Sequence, residues 1–486
     1  MSTMDLDSKG VDGLVEKIIK ELNLILDDHE LIEFDIVDVE STTNKSPVLF
    51  VESSLGLESW CVKHVYNYCY NELIRDYLTN PKRRLSRLST LNFERITTLL
   101  NPTILINPNI VSLWNKRREM MSEGFLDWGS EMKYSGLVLT WKPKCSDAFA
   151  YRRWLIEKLF NERRPSEDAI YDAHYMVELI YEEFKICQMT ADKCRNNYHA
   201  WEHRSYLMER CWGLNCNFNH LRVCFSEYQF IAKWTTNHVS DYSCFYYRQV
   251  VVQNLFRIEE RWDTFQRLFG TDARVNFQKF VAFHAPADSK ANADAILHSH
   301  MSDNELIALV LGYTPGNCKC YSTWNHTLRK LKVLFHEMEL NEDLLRFYPC
   351  HQSIWYYRRF LVNSILNTMY DYLEVENIFN GSVKSITMPA SVIERKNNCK
   401  NCKTADLTDH HNKVKNQKID WFWKCPLFMA IVRHERALIK DRRKDDLKYV
   451  DDYAHYLKLF EGLFLHFYPS TLCNSVFQLH SKHASI

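Results

Sequence analysis

Glycine and proline are scarce: 12 of each in 486 residues, about 5% of the chain against roughly 12% in average proteins. A sandwich or barrel of short strands needs many turn residues, so this scarcity excludes most all-β designs and favours long helices. No apolar run reaches the ~18 residues of a membrane span. Net charge is absent too, with 61 basic and 61 acidic residues, so there is no electrostatic case for nucleic acid or a membrane surface. Met1 to Lys9 lacks the basic and apolar stretches of a signal peptide. The sixteen cysteines are irregularly spaced, which reads as a reduced, cytoplasmic chain that buries most of them as small apolar groups. His483-Ala484-Ser485-Ile486 carries no cysteine four from the end, so the chain does not read as a prenylation substrate of the usual C-terminal type.

Aromatics are plentiful, with 13 Trp, 26 Tyr and 27 Phe, enough for a large core or an apolar groove. They recur in a pattern. The fullest copy is Asn196-Asn197-Tyr198-His199-Ala200-Trp201-Glu202-His203-Arg204. On a helix, residues three apart share a face, so Trp201 presents an apolar surface beside the fork of Arg204. The same step occurs at Trp114/Arg117, Phe149/Arg152, Phe245/Arg248 and Trp355/Arg358. The successive aromatics lie 35, 52, 44 and 110 residues apart. One helical hairpin plus a variable loop fits the first three gaps, and the last requires an insertion. A single site cannot use five copies, so these pairs read as structural.

The chain divides accordingly. Residues 1–60 hold an N-terminal helix, with Val11, Leu14, Val15, Ile18 and Ile19 on one stripe, and an irregular segment or short strand pair. Residues 61–257 hold repeats one to four. An insertion loop covers 258–304, with Ser302 to Glu305 as a capping box opening a helix through Leu311. Residues 305–374 hold helices including repeat five, with Tyr321/Trp324 as a decayed copy in which Thr327 stands for arginine. Residues 375–420, rich in Lys, Asn, Ser and Thr, read as a disordered insertion. Residues 421–486 read as capping helices.

Tetratricopeptide repeats place a glycine after their early Trp, which this chain lacks. The Asn-Tyr-x-x-Trp-x-x-Arg pattern instead resembles the repeat of the protein prenyltransferase α subunits, which include those of farnesyl-, geranylgeranyl- and Rab geranylgeranyltransferase. Ser46 to Glu52, Leu55 to Lys63, and His238 to Asp241 leading into Phe245-Tyr246-Tyr247-Arg248-Gln249 carry a resemblance to one branch of that family. It covers about residues 10–260 and 340–365 and leaves both insertions unmatched. It implies an all-α fold, a right-handed superhelical crescent of helical hairpins wrapped around a β subunit. Such a chain is inactive alone. The partner implied most directly is the Rab geranylgeranyltransferase β subunit, which holds the catalytic zinc and binds geranylgeranyl diphosphate, so this chain needs no metal or cofactor. The implied client is an already farnesylated protein with a C-terminal cysteine, such as the SNARE Ykt6.

Residue by residue, the family's lysine beside the leaving diphosphate matches Lys144 in Pro143-Lys144. Cys145-Ser146 replaces the Asn-Tyr that follows it in the family. Asn197, Tyr198 and His199 keep the family pattern and are implied to face the same substrate site. From the residues alone, Lys144 reads as a solvated lysine and Tyr198 as a packing residue. The competing reading is a non-catalytic α-solenoid adaptor that binds partner or lipidated proteins. Cys399-Lys400-Asn401-Cys402 with His410 and His411, and Cys318-Lys319-Cys320, are weak metal-ligand spacings.

Overall fold

Long helices paired across short turns make up most of the computed structural model, which describes residues 3–38, 46–75, 90–162, 169–211, 217–257, 321–379 and 426–466. Two helices come early: Thr3–Asp28 (α1) and Ser59–Leu73 (α2). Six hairpins follow. They are Thr90–Ile106 with Val111–Ser122 (α3, α4), Trp128–Trp141 with Ser146–Glu162 (α5, α6), and Ala169–Lys193 with Tyr198–Cys211 (α7, α8). Then come Asn217–Asn237 with Tyr242–Arg257 (α9, α10), Tyr321–Phe347 with Gln352–Phe379 (α11, α12), and Pro426–Arg442 with Leu447–His466 (α13, α14). The chain divides into two units, Met1–His220 and Leu221–Ile486.

The all-α expectation holds apart from one small sheet. The irregular segment before residue 60 contains Glu33–Val37 (β1), Val48–Val51 (β2) and Ser54–Glu58 (β3). Their order is β1-β3-β2, with β1 parallel and β2 antiparallel to β3. Pairing β1 with β3 across the β2 hairpin is a non-local choice that short-range pattern does not announce. β1 docks on the second hairpin, where the Phe34 amide donates to Thr140 Oγ1 at 3.0 Å. On α1, Val15, Ile18, Ile19 and Leu22 are buried as the stripe requires, but Leu14 is exposed.

The expected structural pairs form the spine. Trp114, Phe149, Trp201, Phe245 and Trp355 are all buried, as are the arginines that follow them. Two of the repeat indoles place their N–H groups on partners: Trp114 Nε1 donates to the Pro108 carbonyl at 2.7 Å, and Trp355 Nε1 to Asp446 Oδ2 at 2.5 Å. The turns before the second helices are tight. Asn196 and Cys350 take left-handed backbone (φ 54° and 67°), a region where asparagine is among the better tolerated side chains.

Tyr321/Trp324 is not a decayed repeat. Tyr321–Phe347 is one continuous helix, the first of its hairpin, and the repeat's aromatic and arginine lie on its second helix. Residues 258–304, the capping box at Ser302, Cys318-Lys319-Cys320, residues 380–420, Cys399, Cys402, His410 and His411 lie outside the described residues.

Candidate functional site

Four of the repeat arginines, Arg117, Arg152, Arg248 and Arg358, are clamps across three helices, and the clamps fix where the hairpin turns can be. Arg117 on α4 sends Nη1 to Asn101 Oδ1 of its own hairpin (2.7 Å) and its Nε/Nη2 fork to Glu131 on α5 (2.7 and 2.6 Å). Tyr151 on α6 donates to the same Glu131 at 2.6 Å. The motif repeats one hairpin on. Arg152 bonds the Met132 carbonyl at 2.5 Å and forks onto Glu183, which also takes His203 Nε2 at 2.9 Å. In the second unit, Arg248 bonds Thr235 Oγ1 and forks onto Glu337, which Tyr357 and Tyr228 also reach. Arg358 bonds the Met338 carbonyl and forks onto Glu435, to which Tyr453 donates. Tyr247 donates to Glu227 at 2.5 Å, and Arg204 reaches the Phe184 carbonyl at 2.9 Å.

These carboxylates are fully buried, so they exist as anions only because they are paired. For Glu183, burial pushes the carboxyl up, but the Arg152 charge and the His203 and Arg152 hydrogen bonds outweigh it and hold it near about 2. The glutamates escaped the sequence reading, although a signal was present. In four hairpins the glutamate stands twenty residues before the Tyr or His that precedes the arginine. The outer hairpins depart from it. Ile96 and Lys116 take those two places in the first, and Ala454 takes the arginine's place in the last.

Lys144 lies in the turn between α5 and α6, exposed and, among the described residues, without a hydrogen bond or ion pair. Asn197, expected at the substrate, is instead fully buried. Its Nδ2 donates to the Pro143 carbonyl at 2.6 Å and the Thr190 carbonyl at 3.1 Å, while its Oδ1 caps α8 by accepting from Ala200 N. No polar atom of Asn197 is left for a ligand. It pins the turn carrying Lys144 against the turn that opens α8, so Lys144, Tyr198 and His199 share one edge. Tyr198 is 58% exposed, and its ring meets His199 edge-on at 5.5 Å. His199 is half-buried, with Nδ1 3.9 Å from Glu202.

Cys145 occupies the place of Asn197 one hairpin earlier and copies its role in sulfur. Its Sγ donates to the Pro108 carbonyl (3.7 Å) and accepts from Ala148 N (3.4 Å). Burial pushes its thiol up to about 11, so it keeps the proton that this contact needs. Lys193 is committed to the Thr140 carbonyl (3.1 Å), and Lys142 lies over the Trp141 ring (4.1 Å). Lys144 is thus a cation of this edge that is not engaged elsewhere. With the Tyr198 phenol and the His199 imidazole alongside, the edge can receive an anionic group of a docked molecule.

Removing the pin tests this geometry. Asn197→Ala loses a cap worth about 1 kcal/mol and leaves two carbonyls without their partner, for a total near 2 kcal/mol. Asn197→Asp keeps the cap but cannot donate, so it should recover only part of that loss in urea unfolding.

Among the described residues no group of three or more His, Cys, Asp or Glu is placed to hold a metal, and no helix is long and apolar enough to cross a membrane.

The repeated hairpins match the protein prenyltransferase alpha subunit repeat at residues 180–211, 224–255 and 334–365. Each match ends in the aromatic and arginine of a second helix. Relatives of similar length include protein prenyltransferase alpha subunit repeat-containing protein 1 of Danio rerio, 26% identical over 72% of each chain. The human protein of the same name is 25% identical over 80% of this chain and 88% of its own. Form 1-B of Xenopus laevis is 26% identical over 72% of each. Its hairpins and their clamps agree with these matches: the chain carries the protein prenyltransferase alpha subunit repeat at three places and is similar along most of its length to these relatives.

Proposed function

We propose that this chain is the α-type subunit of a heterodimeric protein prenyltransferase. Its partner is a β subunit of the Rab geranylgeranyltransferase type. The pair adds geranylgeranyl to a C-terminal cysteine of an already farnesylated protein, a SNARE of the Ykt6 kind, in the cytoplasm. The observation that carries the reading is the edge holding Lys144, Tyr198 and His199, set on the repeat that defines these α subunits. The zinc supplied by the β subunit makes the substrate cysteine a thiolate. This chain's part is electrostatic. As the bond to the isoprenoid breaks, negative charge grows on the departing diphosphate, and the Lys144 ammonium meets it without a competing carboxylate. In this reading Tyr198 and His199, on the neighbouring turn, are further donors to the same oxygens.

Co-expression with prenyltransferase β subunits, followed by size-exclusion chromatography and a transfer assay on a farnesylated client, tests the reading. A one-to-one complex that transfers geranylgeranyl supports it. A complex that transfers nothing points to a non-catalytic adaptor for partner or lipidated proteins. One feature favours that second reading: Ser146 stands where Tyr198 stands one hairpin later, so the turn bearing Lys144 has no phenol of its own. Failure to pair with any β subunit would overturn both the partner and the activity.

A further inference from the structure

In four of the five hairpins that carry a clamp glutamate, the residue donating to it from the second helix is tyrosine: Tyr151, Tyr247, Tyr357 and Tyr453. In the third hairpin it is His203. Tyrosine brings one proton and holds it up to about pH 10. Histidine has a second nitrogen and titrates near neutrality.

His203 is fully buried, with Nε2 2.9 Å from Glu183 Oε2. To donate there as a neutral ring, it carries its proton on Nε2 and leaves Nδ1 as a bare acceptor. Nδ1 is buried and meets no hydrogen-bond partner among the described residues. A proton arriving at Nδ1 would therefore find no acceptor. It would also add a cation beside a carboxylate already neutralised by the Arg152 fork.

The surrounding groups oppose that charge. From α6, Arg152 and Arg153 both act against it, and the Phe149 ring lies 5.4 Å away. From α8, Tyr206 stacks at 5.9 Å, with its hydroxyl turned to Glu157, which Arg210 also holds. The neighbouring Arg204 directs Nη1 to the Phe184 carbonyl. From α7, Glu183 alone favours the cation, and it is shared. Burial, the largest influence, holds the imidazole below its ordinary value in spite of Glu183.

We propose that the joint between the second and third hairpins is an acid-sensitive weak point, made by His203 standing where the other hairpins with a clamp glutamate have tyrosine. Mild acidification loosens α8 there, and with it the edge that carries Tyr198 and His199.

The sign follows from the depressed value. The unfolded chain takes up the proton below about pH 6.5, while the folded joint refuses it. Stability is whole above that point and falls as pH drops, by up to tenfold in the local opening equilibrium per pH unit. The clamp carboxylates respond only near or below their unfolded values of about 4.3, so the window between is specific to histidine.

The test is amide hydrogen exchange across 183–207 at about pH 7.5 and about pH 5.5, corrected for intrinsic rates. In the full chain the opening equilibrium at the lower pH should rise up to about tenfold. In His203→Gln, which still donates to Glu183, and in His203→Tyr, that rise should vanish, whatever either change does to stability at neutral pH. No rise in the unmodified chain, or the same rise in a variant as in the unmodified chain, overturns the proposal.

Discussion

Glu337→Ala is expected to destabilise the second unit by about 3–5 kcal/mol. Glu337 is fully buried and takes the Arg248 fork at 2.8 and 3.1 Å, together with the hydroxyls of Tyr228 and Tyr357. Cutting it back to alanine leaves a buried guanidinium without that counter-charge. The cost is that of the stranded cation more than of the lost contacts. Two companion changes separate these terms. Glu337→Gln keeps an acceptor but not the charge and should fall between. Changing Glu337 and Arg248 together to apolar residues should cost less than Glu337→Ala alone, because no charge is stranded. Urea unfolding of all three decides it, and a double change that costs the sum of the singles would contradict the clamp account. Acid should act in the same direction. Burial pushes the Glu337 carboxyl up, but the Arg248 charge and its hydrogen bonds bring the value below the ordinary range. The stability it contributes is therefore present above about pH 4.3 and disappears as pH falls through the lower folded value.

Lys144→Ala should lower turnover of the complex by about 10²–10³-fold, the loss usual when one donor to a developing anion is removed. Lys144 is exposed and unengaged, so folding and pairing with the β subunit should be unchanged. That combination separates a chemical role from a structural one. Lys144→Arg keeps the charge but changes its shape and reach, and partial activity is expected. Single-turnover transfer on a farnesylated client is the measurement. Turnover equal to the unmodified complex would remove Lys144 from the chemistry and favour the adaptor reading.

Half of each clamp was legible in the sequence. Trp201 and Arg204 sit three residues apart on one helix, and local periodicity exposes any pair of that kind. The partner glutamates were hidden because the bond crosses to the next hairpin. Arg117 reaches Glu131 over 14 residues, Arg152 reaches Glu183 over 31, and Arg248 reaches Glu337 over 89. Loop length sets those separations, so no fixed step links the two. Reading Tyr321/Trp324 as a copy failed for a related reason: an aromatic on a helix does not say which helix of a hairpin it belongs to, whereas Glu337 sixteen residues after Tyr321 does. At the site, only resemblance brings Lys144, Tyr198 and His199 to a substrate; what the structure adds is the Asn197–Pro143 bond that joins their two turns. Asn197 was misread because the same amide that could meet a substrate is more useful buried, capping α8 and gripping Pro143.

The clamps give the chain a direction. An interior hairpin such as α5/α6 brings one carboxylate, Glu131, to the arginine before it and sends one guanidinium, Arg152, to the glutamate after it. The hairpin α11/α12 does the same with Glu337 and Arg358. A piece of chain with one such plug and one such socket can be copied in tandem or excised whole while every buried charge still finds its opposite. Removing a single helix instead strands one ion: Arg117 loses its carboxylate if α5 goes, and Glu183 its guanidinium if α6 goes. Proteins built this way can change length in steps of one hairpin, because the coupling runs from helix to helix.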